Sequence, residues 1–134
     1  MSLTRAYTWV ASVGLLLQGA STLIALLVPA VDRAMPFLLS ETQMIPSHSA
    51  LHIASGVIGF LVLAFGGAVG ASRFSFWFGL FYAALGAGGA LTGQQFGLGL
   101  KPFDHPFHLV LGGVGLLAVA IESIRARAAA RSNA

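Results

Sequence analysis

The sequence predicts an all-α fold, namely a four-helix transmembrane bundle built from a duplicated helical hairpin. Three observations support this prediction: an apolar and almost uncharged composition, four apolar stretches of spanning length, and a histidine–glycine motif that occurs twice. Of the 134 residues, 57% are hydrophobic and only 8% are charged. A soluble domain carries roughly 25% charged residues. This chain therefore cannot cover a water-facing surface, and a lipid bilayer is its expected solvent.

Four apolar stretches are long enough to cross a bilayer: residues 7–28, 48–69, 74–93 and 105–124. Each is close to the roughly 20 residues that a helix needs to cross about 30 Å of hydrocarbon. Spans of this length must be helical, because lipid offers no hydrogen-bond partner to a free backbone amide. We expect the four spans to form a single transmembrane domain that covers residues 1–134.

The first stretch is interpreted as a span, with a cleaved signal peptide as the alternative. Its apolar run is longer than the roughly 7–15 residues of a signal peptide. It also contains Gln18, Ser21 and Thr22, which suit a helix that packs on its neighbours. A signal peptide would be cleaved at the small-residue site of residues 28–30.

The repeated motif consists of a histidine, any three residues, a glycine, any two residues and a second glycine. It begins at His52 and again at His108, and each copy opens an apolar stretch. Near the start of each of the other two stretches, an arginine is followed four residues later by a tryptophan. These pairs are Arg5 with Trp9 and Arg73 with Trp77. This pattern indicates two copies of one helical hairpin.

The two copies, residues 5–70 and 73–125, each cross the membrane twice, so both enter it from the same side. Five basic residues fall on one side if the helices alternate: Arg5, Arg73, Arg125, Arg127 and Arg131. By the positive-inside rule that side is the cytoplasm. We therefore expect a multi-pass protein of a bacterial inner (plasma) membrane, with both termini cytoplasmic and all histidines near the outer face.

The doubled hairpin, the histidine–glycine repeat and the arginine–tryptophan starts together resemble a bacterial family of small four-helix integral membrane proteins. That family is catalogued only as a domain of unknown function. The resemblance covers nearly the whole chain and implies the four-helix transmembrane fold. Since the family has no established activity, the resemblance implies nothing about function. His48 and His105 do not map onto its motif.

All four histidines lie at the beginnings of the second and fourth spans: His48, His52, His105 and His108. The members of each pair are three or four residues apart, so each pair shares one helix face. Ser47 and Asp104 precede them at positions typical of helix N-caps. The N-terminus of a helix disfavours a positive charge, and neutral imidazole is the form that binds metals.

Three interpretations of the histidines stay open. In the first, they bind no cofactor and pack at the interface between the two hairpins, with hydrogen bonds to the backbone or to nearby polar side chains. In the second, two to four of them bind a divalent metal ion, with Asp104 or Glu41 as a candidate carboxylate ligand.

The third interpretation is a b-type haem held by His52 and His108, with room for the macrocycle provided by Gly56 and Gly112 one turn further on. It requires the second and fourth helices to stand apart. Stripes of small residues usually do the opposite, because they let helix backbones approach closely in lipid.

Outside the histidines, the spans contain few polar residues. Glu122 is the only acid inside a predicted span, and Arg125 three residues later can form an ion pair with it. Gln18 lies near mid-span and suits an interhelical hydrogen bond. Six aromatic residues crowd the start of the third span, and we expect them to face lipid or the membrane interface: Phe74, Phe76, Trp77, Phe78, Phe81 and Tyr82.

The first hypothesis for function is a non-catalytic structural or accessory subunit that packs, within the lipid bilayer, with a larger membrane complex or with itself as a homo-oligomer. No hydrolase triad, carboxylate pair or phosphate-binding loop is recognisable, and the chain has no cysteine. The basic residues are scattered, so nucleic-acid binding is not expected. The alternatives are a metal- or haem-binding redox protein that uses the histidines and, further, a carrier of small solutes or protons.

Overall fold

A computed structural model of the protein describes residues 1–42 and 44–133, without the side chains of residues 38, 41 and 42. Glu41, a candidate carboxylate ligand, therefore has its side chain outside the described part. The described residues form six α-helices and no strand: α1 Leu3–Leu27, α2 Pro29–Ala34, α3 Phe37–Thr42, α4 Pro46–Phe65, α5 Gly67–Thr92 and α6 Asp104–Ser132. The all-α prediction is confirmed.

Four of these helices, α1, α4, α5 and α6, are long and apolar enough to cross a membrane. The short helices α2 and α3 lie in the segment between α1 and α4, which connects the first two predicted spans. The long helices pack mainly as two pairs, α1 with α4 and α5 with α6. Four helices that could span a membrane are therefore present, close to the four apolar stretches of the sequence.

Glycines set the close approach within each helix pair. A methyl group at Gly56 of α4 would lie 2.8 Å from the carbonyl oxygen of Ser12 in α1. In the other pair, Gly112 of α6 lies directly against the backbone of Gly79 and Ala83 in α5. In lipid, where apolar burial between helices contributes little, such backbone contact is a main source of helix association.

Hydrogen bonds join the two pairs at the end of the bundle where the chain begins. The backbone N–H and the hydroxyl of Thr4 donate to the carboxylate of Glu122, at 3.3 and 2.9 Å. The hydroxyls of Thr8 and Ser75 are 3.4 Å apart, so α1 also contacts α5. Within the described residues Glu122 forms no ion pair with Arg125, because its carboxylate is used by α1 instead.

The turn between α4 and α5 lies at Gly66 and Gly67, before the gap that separates the predicted stretches 48–69 and 74–93. Gly67 has a φ of +57°, in the left-handed region that side chains disfavour. The chain therefore reverses over a single glycine pair, and residues 70–73 belong to the first turns of α5.

The beginning of α4 also differs from the prediction. The helix starts at Pro46 with Ile45 as its N-cap, because proline has no N–H and fits the first helical turn. Ser47 is thus inside the helix, and its hydroxyl donates to the carbonyl of Gly97 at 2.8 Å. This bond holds the start of α4 against the loop that precedes α6.

Two adjacent glycines of α6 test the helix contact. Gly112→Ala should lower the free energy of unfolding by about 1–3 kcal/mol, because the added methyl overpacks the backbone of α5. Gly113→Ala is the matched control, since Gly113 has no neighbour within 4 Å. That change should raise stability by about 0.5–1 kcal/mol through helix propensity. Thermal unfolding in detergent, followed by circular dichroism, measures both; an equal midpoint for the two variants would contradict the packing described.

Candidate metal centre

Three of the four histidines meet inside the bundle. His48 and His52 come from one face of α4, and His108 comes from the start of α6. Their ring centroids are 4.6 Å apart for His48 and His52, 5.4 Å for His48 and His108, and 5.8 Å for His52 and His108. The exposed fractions of the three side chains are 0%, 1% and 0%. The two helix pairs thus place three imidazoles in one sealed cluster, hereafter the histidine cluster.

The ring nitrogens are close enough to share one ion. One nitrogen from each ring can be chosen so that the three atoms lie within 4.8 Å of one another. Imidazole nitrogens that bind one metal at about 2.0–2.1 Å are themselves about 3.4 Å apart. Small side-chain rotations therefore convert the histidine cluster into a coordination site.

The histidine cluster has no hydrogen bonds within the described part of the chain. Neither ring nitrogen of His48, His52 or His108 has a partner there. Buried polar atoms in native proteins nearly always have one, and an unpaired atom costs about 1–3 kcal/mol. The hydrogen bonds expected if the histidines bind no cofactor are thus missing among these residues, whereas an ion would use one nitrogen of each ring.

The close approach of α1 closes the cluster on one side. A methyl group at Gly19 would lie 2.9 Å from the Cβ of His52 and 2.7 Å from the carbonyl oxygen of Ser49. The hydroxyls of Ser49 and Thr22 are 3.0 Å apart and join the same two helices. Glycine at position 19 therefore allows α1 to cover His52, which removes the imidazole from lipid.

His105 does not join the other three. Its ring lies against Gly89 of α5, where any side chain at position 89 would overlap the imidazole. His105 and His108 are three residues apart, yet the packing of α6 on α5 turns the first toward α5 and the second toward the cluster. Of the four predicted metal ligands, the structure brings together His48, His52 and His108.

The two glycines suggested to leave room for a haem are used by helix contacts instead. Gly56 faces α1 and Gly112 faces α5, each at backbone distance. Four open apolar grooves of 220 to 470 Å³ lie along the described bundle, and none is lined by a histidine. A macrocycle between His52 and His108 would have to displace these contacts, so the geometry favours a single ion over a haem.

Asp104 is buried near the cluster but is not one of its three ligands. Its side chain is 5% exposed, and its carboxylate accepts a hydrogen bond of 2.6 Å from the backbone N–H of Lys101. Asp104 lies one turn before His108 on the same face of α6. Asp104 therefore places one negative charge beside three neutral imidazoles.

Tyr82 also borders the cluster, and the sequence analysis missed it. Its ring centroid is 5.2 Å from that of His108, its side chain is fully buried, and its hydroxyl is 3.0 Å from that of Ser55. The expectation that it faces lipid is wrong, although Trp77 is indeed 64% exposed. The residue spacing of α5 indicates this burial, since Tyr82 shares a helix face with the small residues at positions 79 and 86.

Comparisons with protein-family models, with curated proteins and with solved structures give no match to this chain. The resemblance to a family of unknown function therefore stays a prediction.

The unpaired nitrogens predict an unusual mutational effect in the metal-free protein. With a chelator present, His108→Leu should unfold at the same temperature as the wild type or higher, because the change removes two buried polar atoms that lack partners. Thr8→Val is the control, since the buried Thr8 hydroxyl donates to the carbonyl of Thr4 at 2.8 Å. The free energy of unfolding of this control should fall by about 1 kcal/mol. Equal losses in the two variants, measured by thermal unfolding, would mean that His108 has a partner after all.

Proposed function

We propose that this protein is a multi-pass membrane protein that binds one transition-metal ion through His48, His52 and His108. The main support is the combination of full burial, mutual distances within 4.8 Å and the lack of hydrogen-bond partners among the described residues. Imidazole is a favoured ligand of zinc, copper, iron and nickel. No other group of described histidine, aspartate and glutamate side chains offers such a ligand set.

The bound ion would link the two helix pairs. His48 and His52 belong to the pair α1/α4, and His108 belongs to the pair α5/α6. An ion that binds only this folded arrangement stabilises it by mass action, by about 2.7 kcal/mol at a hundredfold excess over its dissociation constant. The proposed role of the ion is therefore structural: it would connect the two hairpins.

A non-catalytic role agrees with the surroundings of the cluster. Catalytic metal sites keep one coordination position open to substrate or water, whereas these three imidazoles are at most 1% exposed. The bundle interior is filled by Leu15, Phe78 and Tyr82, which argues against a carrier of solutes. The hypothesis of an accessory or self-associating subunit is compatible with this reading, since an ion that fastens hairpins requires no reaction.

We also propose that the fold is a duplicated hairpin. In support, the histidine–glycine repeats make matching contacts: Gly56 lies on the backbone of Ser12, and Gly112 lies on that of Gly79. When Arg5 is aligned with Arg73, Ser12 corresponds to Leu80, so Gly79 lies one residue from exact correspondence. Thr8 and Ser75, whose hydroxyls are 3.4 Å apart, differ by the same single residue, so the contacts of the two hairpins match to within one position.

In this proposal both termini are cytoplasmic and the cluster lies near the outer face of a bacterial inner membrane. The distribution of arginines supports that orientation, because Arg73 and the C-terminal arginines are at the same end of the bundle as the N-terminus.

Metal analysis tests the proposed function directly. Wild-type protein purified from cells, or loaded with zinc or copper and then desalted, should retain about one ion per chain by elemental mass spectrometry. His52→Ala and His108→Ala should lower the affinity by more than about 100-fold, since even outer-shell changes cost 10–100-fold. His105→Ala is the matched control and should retain the ion, because its ring lies on Gly89. The proposal fails if the wild type binds no metal, or if all three variants bind as the wild type does.

Single cysteines test the orientation, because the chain has none of its own. Ala34→Cys in α2 and Ala130→Cys in α6 are both exposed positions. A membrane-impermeant maleimide added to intact cells (spheroplasts for a cell with an outer membrane) should label Ala34→Cys alone. Labelling of Ala130→Cys should require permeabilisation. The reverse pattern would place the cluster at the cytoplasmic face.

A further inference from the structure

We infer that the histidine cluster selects monovalent copper over divalent zinc. This inference depends on the proposed metal site at His48, His52 and His108. It adds the charge and the preferred coordination number of the ion, which follow from what surrounds the three rings.

The ligand set carries no charge of its own. All three donors are imidazoles, and the chain has no cysteine to supply a thiolate. Loading the site therefore places the full charge of the ion in a buried position. The Born cost of burial grows with the square of the charge, so it is roughly four times larger for a divalent ion than for a monovalent one.

Asp104 supplies the charge that one monovalent ion needs. It is the buried carboxylate of the described chain, and it lies one turn before His108 on the same face of α6. Its position is held by the N–H of Lys101 at 2.6 Å. A monovalent ion together with Asp104 has no net charge, whereas a divalent ion leaves one uncompensated positive charge in an apolar setting.

The number of donors favours the same ion. Zinc is almost always four-coordinate, either with four protein ligands or with three and a water. Here the rings of Tyr82 and Phe107 lie 5.2 and 5.8 Å from that of His108, and the Tyr82 hydroxyl is bonded to Ser55. Two aromatic rings thus pack beside the cluster, and no described aspartate or glutamate joins the three histidines as a fourth donor. Copper(I) is stable with three ligands, and imidazole is among the ligands that bind copper.

The test is a pair of competition titrations on the full-length protein in detergent. Copper(I), under anaerobic reducing conditions, competes with a chromophoric copper(I) chelator, and zinc competes with a chromophoric zinc chelator. We expect one copper(I) per chain and a zinc affinity weaker by at least about 100-fold, which is roughly 2.7 kcal/mol. Zinc binding as tight as copper(I) binding would overturn this inference and leave the metal site standing. If neither ion binds, the proposed function itself fails.

A charge-neutralising variant tests the part played by Asp104. Asp104→Asn retains an oxygen for the Lys101 N–H but removes the negative charge, so copper(I) affinity should fall by about 10-fold or more, as for other outer-shell changes. Glu122→Gln is the matched control, because Glu122 bonds to Thr4 at the opposite end of the bundle. Its affinity should equal that of the wild type. An unchanged affinity in Asp104→Asn would refute the charge argument.

Discussion

Backbone contact at small residues is the constraint on which this structure depends. In an apolar solvent, helices gain little from burying leucine against leucine, so they associate where their backbones can come close. Gly56 and Gly112 provide that approach in the pairs α1/α4 and α5/α6. Together with the close contacts at Gly19, Gly86 and Gly89, they set the rotation of α4 and α6 against their partners. Since each histidine-bearing helix start is fixed against its partner, His52 and His108 face each other across the interface.

Hydroxyl groups buried at one end of the bundle have hydrogen-bond partners, whereas the imidazoles of the histidine cluster at the other end do not. At the end with the chain termini, the hydroxyls of Thr4, Thr8 and Ser75 all have partners within hydrogen-bonding distance. At the other end, the imidazoles of the histidine cluster have none among the described residues. The fold is thus able to satisfy polar groups in its interior, and the cluster is a local exception. Ser12 Oγ and His105 Nδ1 also lack partners, but in the cluster three such side chains, all metal ligands by chemistry, lie together. This combination is the strongest functional signal among the described residues.

Much of the fold could be predicted from the sequence, because span length and hydropathy follow directly from the thickness of a bilayer. Spacing also places His48 and His52 on one face of α4. It could not decide between His105 and His108, which lie three residues apart, since the rotation of α6 is set by its contact with Gly86 and Gly89. The turn at Gly66 was missed for a similar reason: the glycines near it are spaced closely enough that several of them could have reversed the chain.

The loop between α5 and α6 has a consequence for the kinetics of the site. Its backbone is left-handed at Phe96, Gly97 and Gly99, and Gly97 accepts the hydroxyl of Ser47 while Gly99 lies against Ile45. These contacts hold the loop against the start of α4, at the end of the bundle where the imidazoles are sealed from water. At the proposed metal site, loading and release of an ion would require that end to open. After dilution, a bound ion would therefore stay in the site for a time set by the rate at which this end opens, even where its equilibrium affinity is modest.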